Sequence, residues 1–188
     1  MPILPSLENV DASPWYNSLE KIALNWNEVI EQKSGEITGD YNAWHVKFEA
    51  KIPTTSGLSI NITGIKELRT FQAGVVPLNA RYTWVTEIEM NKPQASTFQL
   101  HVLRKSLFNR LKILRYRDCQ SVKEKSCLVR TTHPEQWREI FKPFAPLLSL
   151  TTFIHWDNEG LIMKLFTVAQ NALEIEELLK FLEGIAND

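Results

Sequence analysis

The chain has little of anything that would mark a specialised class. Two cysteines in 188 residues cannot staple a small secreted scaffold. Cys119 and Cys127 read instead as reduced thiols. Seven glycines and nine prolines, without a period, exclude collagen-like and low-complexity architectures. A net charge of −1 with 44% hydrophobic residues excludes intrinsic disorder, because such a chain buries enough surface to offset its ordering entropy. No apolar run approaches the roughly 20 residues that span a bilayer. Met1 to Glu8 shows no basic stretch leading into an apolar one, so we expect a soluble, cytoplasmic protein.

Catalytic motifs are equally scarce. The sequence has no G-x-G-x-x-G, no Walker-type G-x-x-x-x-G-K, no G-x-S-x-G, no H-E-x-x-H and no C-x-x-C. The usual nucleotide cradles, nucleophile elbow, zinc site and thioredoxin-like pair are therefore unsupported. We assign no catalytic residue, no metal ligand and no cofactor, and lean towards a protein that is not an enzyme.

What is present is periodicity. Ser13 and Pro14 suit a helix start, and Trp15, Leu19, Ile22, Trp26, Val29 and Ile30 form one helical stripe, with Gly35 just past its end. From Ala43 to Ile52 the pattern switches to period two. Trp44, Val46, Phe48 and Ala50 oppose His45, Lys47, Glu49 and Lys51, and Leu58–Ile62 alternates again after a turn. Arg81–Met90 reads as a strand. In Thr97–Leu103, Phe98, Leu100 and Val102 oppose Thr97, Gln99, His101 and Leu103, which places His101 on the polar face. Ser106–Val122 fits either type of element, and we read a strand from about Leu111. Ser126–Thr131 is a short strand.

The C-terminal third reads as a helix from Pro134, carrying Trp137, Ile140 and Phe141. A hairpin follows, from Leu150–Trp156 to Leu161–Val168. The last helix is capped by Asn171, with Glu174 three residues on and Ile175, Leu178, Leu179, Leu182 and Ile185 on its apolar stripe. Strands in blocks between helices predict an α+β fold with a mainly antiparallel sheet, covered by the N-terminal amphipathic helix and closed by a helix–hairpin–helix unit. The length fits one domain, 1–188, with residues 1–12 as an extended arm.

Near-neutrality conceals a segregation of charge. Between Arg104 and Arg130 lie nine basic residues and two acidic ones, a balance of +7, while the rest of the chain carries −8. Arg104, Lys105, Arg110, Lys112, Arg115 and Arg117 are the candidate binding residues. The field is either satisfied internally by acidic helices carrying Glu174, Glu176 and Glu177, or offered to an acidic protein or anionic surface. A pI near 6.4 argues against a dedicated nucleic-acid binder.

Six tryptophans and nine phenylalanines supply a second lead. Trp15, Trp26, Trp44 and Trp84 fall on predicted buried faces. The plain reading is an aromatic core. The alternative is an apolar pocket between sheet and helix for a small or lipidic ligand, or for an undetected reaction, lined by Trp44, Trp84, His45 and His101 with Glu87 nearby. His133 reads as a helix-start residue and His155 as a hairpin-end residue. A low-pKa Cys119 and a Glu87–Glu89 acid–base pair are the remaining chemical options, and each is better read as structural or solvated.

Overall fold

The computed structural model describes residues 2–6, 16–73, 76–91, 99–124, 127–141, 151–157 and 159–187. Among these residues, helices accompany a mostly antiparallel sheet of ten strands. The expected helix start at Ser13–Trp15, the turn after Asn91 and the end of the third helix around Pro143–Pro146 lie outside the described residues. Contacts gather into two compact units. The first is Met1–Pro53 with Asn61–Thr86 and Thr167–Leu179; the second is Thr54–Ile60 with Glu87–Phe166 and Lys180–Asp188.

The first unit contains β1 (Ile3–Pro5), α1 (Tyr16–Gln32), β2 (Glu36–Tyr41) and β3 (His45–Pro53). It also holds most of β4 (Ser59–Ala73) and the first part of β5 (Val76–Asn91). The hydrogen-bonding order is β1-β2-β3-β4-β5, with β1 parallel to β2 and β2 antiparallel to β3. Helix α1 packs on β1, β2 and β3 through Leu19, Ile22, Ala23, Trp26, Val29 and Ile30, all buried. In β3, Val46, Phe48, Ala50 and Ile52 are buried while Glu49 and Lys51 are exposed, the alternation of a sheet with one covered face. The Trp26 and Phe48 rings lie 4.4 Å apart, and Trp26 Nε1 donates to the Ala169 carbonyl at 2.9 Å.

Helix α1 ends in a Schellman arrangement. Gly35 N–H donates to Ile30 O at 2.9 Å and Ser34 N–H to Glu31 O at 2.9 Å. The left-handed residue is Ser34, at φ 55°, and not the glycine beside it. Gly35 is needed for space instead: a Cβ there would lie 2.9 Å from both Ile30 Cγ2 and Lys51 O.

Trp44 departs from the expected buried face. It is 39% exposed and precedes β3 in a turn where Asn42 Oδ1 accepts from Trp44 N–H and His45 N–H at 2.8 and 3.0 Å. The side-chain amide closes the turn one residue before the strand alternation begins.

The second unit runs β5-β10-β9-β6-β8-β7, with β6 (Leu100–Arg104), β7 (Gln120–Lys123), β8 (Cys127–Thr131), β9 (Thr151–Trp156) and β10 (Gly160–Leu165). The pairs β6/β8, β6/β9, β7/β8 and β9/β10 are antiparallel. Helices α2 (Leu107–Ile113) and α3 (Pro134–Phe141) belong here, and α4 (Ala172–Asn187) runs through both units. At the first position of β10, Gly160 takes φ 142°, and a Cβ on it would run into the Met90 carbonyl.

Two expectations fail in this unit. Leu111 does not begin a strand: Ser106, in an extended conformation, accepts the Asn109 N–H on its Oγ at 3.0 Å, and the cap starts a helix at Leu107. The strand waits until Gln120. His101 is not on a solvated face either, being 3% exposed. Strand β6 is central, between β8 and β9, and the loop after α2 lays Tyr116 over it, so both of its faces are covered.

Candidate functional site

Helix α2 is inverted relative to an ordinary surface helix. Its apolar residues Leu107, Phe108, Leu111 and the C-capping Leu114 are 82, 72, 70 and 54% exposed. At 3.6 residues per turn they fall within an arc of about 120°, and Lys112 and Arg110 lie about 40° beyond its two edges. Ile113, on the opposite side, is the buried residue that seats α2, which packs on β6 and β8. The Lys112 ammonium sits 5.4 Å from the Phe108 ring centroid, so its stem runs along the ridge. Arg104 lies 5.9 Å from the ring centroid of Phe166, another exposed aromatic.

The basic residues of the segment divide by role. Arg130 is structural: its Nη1 donates to the carbonyls of Tyr116 and Cys119, both at 3.1 Å, and pins the loop after α2. Lys105 Nζ donates to the Glu124 carbonyl at 2.6 Å. Arg110, Lys112, Arg115 and Arg117 are exposed, and among the described residues none of them forms an ion pair. The Lys123 and Lys125 side chains lie outside the described residues. Glu174, Glu176 and Glu177 belong to the first unit and the whole basic segment to the second.

Beneath the loop, side chains distant in sequence come together. The His101 and Tyr116 rings stack at 3.5 Å and 10°. His101 Nδ1 is 2.8 Å from His155 Nδ1, which also lies 3.3 Å from the Tyr116 hydroxyl. His155 Nε2 is 3.1 Å from Asp157 Oδ2. Burial, reinforced by the nearby His155 charge and opposed by Asp157, pushes the His101 ring down to about 4. Burial likewise raises the Tyr116 phenol. A recess of about 260 Å³ opens beside His155 and Asp157, lined also by Glu89, Asn91, Glu159 and Ile162. Among the described residues, no three His, Cys, Asp or Glu side chains converge as metal ligands.

No known protein family, curated protein or solved structure matches the chain. Its chemistry therefore rests on its own residues.

The remaining candidate positions are distributed as follows. His45 Nε2 meets Asp40 Oδ2 at 2.5 Å, so the imidazole beside His101 is His155 and not His45. Trp84 is half-buried with the buried Lys66 ammonium 4.0 Å from its ring centroid, and burial lowers the Lys66 pKa. Trp44, His45 and Trp84 belong to the first unit and His101 to the second. Glu87 bonds Lys164, and Glu89 faces the recess. Cys119 and Cys127 are buried and not joined in a disulfide; burial raises the Cys119 thiol, contrary to a thiolate activated by its basic neighbours. Tyr116, His155 and Asp157 were missed because pairing β6 with β9 joins residues 54 positions apart.

Proposed function

We propose that this protein is a non-enzymatic interaction module that docks its Arg104–Arg117 segment onto a negatively charged partner. The observation that carries the reading is the outward ridge of α2, where four large apolar side chains stand exposed between cations. Monomeric proteins rarely leave such a patch uncovered, and the cations beside it, which form no ion pair among the described residues, attract an anionic surface before apolar contact is made. Within the second unit, α2 is held against β6 and β8, which support this ridge.

The pocket reading has less support. In the first unit Phe48 packs against both Trp26 and Gly64, which occupies the aromatic interior. An acidic protein or anionic surface is favoured over nucleic acid because the rest of the chain is acidic.

The test is a salt titration of retention on a polyanionic matrix, comparing the natural chain with a variant carrying Arg110→Glu, Arg115→Glu and Arg117→Glu. Retention at low salt that the variant loses, with an unchanged circular dichroism spectrum, supports docking. A chain that flows through at low salt removes the reading.

A further inference from the structure

We infer that the occupant of the α2 ridge is the headgroup and upper acyl layer of an anionic phospholipid bilayer, an assignment that rests on the docking reading above. Three features select it. The first is the arrangement of charge. Six cations and no acid occur from Arg104 to Arg117, and Arg110 and Lys112 flank the apolar arc on both sides. An interfacial helix needs this pattern: apolar side chains enter the acyl boundary while long basic stems reach back to phosphates on either side. Clusters of four to eight Lys and Arg on such an element read as sites for anionic lipid.

The second feature is size. Helix α2 has seven residues and is therefore about 10 Å long. A stable protein–protein interface buries about 800 Å² on each partner, more than two turns of helix present to a groove. A bilayer demands no matching shape. It accepts a small apolar ridge and adds affinity with each buried carbon and each neutralised phosphate.

The third feature is that the ridge is already built. Ile113 seats α2, Ser106 caps it, and Arg130 holds the loop that follows through the Tyr116 and Cys119 carbonyls. Tyr116 turns inward onto His101, leaving Arg115 and Arg117 exposed on either side of it in sequence. Binding therefore pays no ordering cost for a disordered segment, unlike amphipathic helices that fold only at the membrane.

The experiment is co-sedimentation of the full chain with vesicles of phosphatidylcholine alone and with about one third phosphatidylserine. We expect binding to the anionic vesicles only. Phe108→Ser with Leu111→Ser, both at exposed positions, should weaken it roughly tenfold or more, since each buried methylene is worth about fourfold. Arg110→Gln with Lys112→Gln should weaken it about thirtyfold, near fivefold per cation.

Unchanged binding of the Phe108/Leu111 variant would show attraction by charge alone and overturn insertion. Displacement by soluble phosphoserine would do the same, placing the site on the headgroup. Failure to bind any vesicle, with retention on the polyanionic matrix intact, would sink the lipid assignment and leave docking on an acidic protein. Failure on both would remove the two readings together.

Discussion

His101 Nδ1 and His155 Nδ1 face each other at 2.8 Å, a geometry that holds one proton between two rings. Asp157 Oδ2, 3.1 Å from His155 Nε2, assigns that proton. A carboxylate there requires the hydrogen on Nε2, so the neutral His155 ring presents Nδ1 as an acceptor, and His101 Nδ1–H donates to it. The Tyr116 hydroxyl, at 3.3 Å, leans on the same acceptor. Charging both rings would set two N–H donors against each other inside a covered sheet.

The first prediction concerns pH. The folded His101 ring titrates near 4 and an unperturbed imidazole near 6.5. The unfolded chain thus takes up this proton first. The stability contributed by the neutral buried ring is fully present above about pH 6.5 and is lost as the pH falls towards 4, a total of about 3 kcal/mol. The groups facing His101 are His155, Asp157 and Tyr116, so urea unfolding should be compared between the natural chain and His101→Asn. The natural chain should lose stability more steeply between about pH 6.5 and 4. Parallel slopes in the two proteins would remove His101 as the cause.

The second prediction separates the two contacts of Tyr116. Tyr116→Phe keeps the ring on His101 and deletes only the long hydroxyl contact, so it should cost less than about 1 kcal/mol. Tyr116→Ala removes the stacked ring and uncovers β6, and should cost about 3 kcal/mol. The Ala variant should also raise amide exchange in residues 114–119, while exchange in β9 changes less. Equal costs for the two substitutions would mean that the hydroxyl, and not the stack, holds the loop.

A third prediction follows from the end of α1. Ser34 occupies the left-handed region at φ 55°, where a side chain costs about 1 kcal/mol more than glycine. Ser34→Gly should raise stability by about 0.5 kcal/mol once the greater freedom of unfolded glycine is subtracted. Gly35→Ala should lower it, because its Cβ meets Ile30 and the Lys51 carbonyl. The order of thermal midpoints, Ser34→Gly above the natural chain and Gly35→Ala below it, checks both at once.

The sequence revealed elements wherever one face is covered and the other wet. β3 is such a case: Val46, Phe48, Ala50 and Ile52 are buried between exposed or half-exposed polar residues, and the resulting alternation betrays an antiparallel sheet. The same logic misread α2, whose apolar residues point outward, so that a rule tying hydrophobicity to burial could not separate its helix from a strand. It also misread His101, because a central strand under a loop has no wet face for a polar residue to mark. The basic segment was legible as charge along the chain. That its cations flank an exposed apolar ridge depends on the Ser106 cap and on Ile113 seating the helix, and neither stands out from composition.

The last prediction tests how the first unit is filled. Gly64 on β4 lies against the Phe48 ring, and a Cβ there would overlap Cζ, Cε1 and Cε2. Phe48 cannot move away freely, because its other neighbour is Trp26, with ring centroids 4.4 Å apart and the Trp26 indole tied to the Ala169 carbonyl. Gly64→Ala should therefore destabilise by about 2–3 kcal/mol, the usual cost of overpacking a closed core. Phe48→Leu alone should also destabilise, by loss of contacts with Trp26. Together the two changes should cost less than their sum by at least about 1 kcal/mol, because the smaller side chain leaves room for the methyl group. A strictly additive double mutant in urea unfolding would mean that the strand yields to the added methyl group, and the tight fit of Phe48 between Gly64 and Trp26 would not hold.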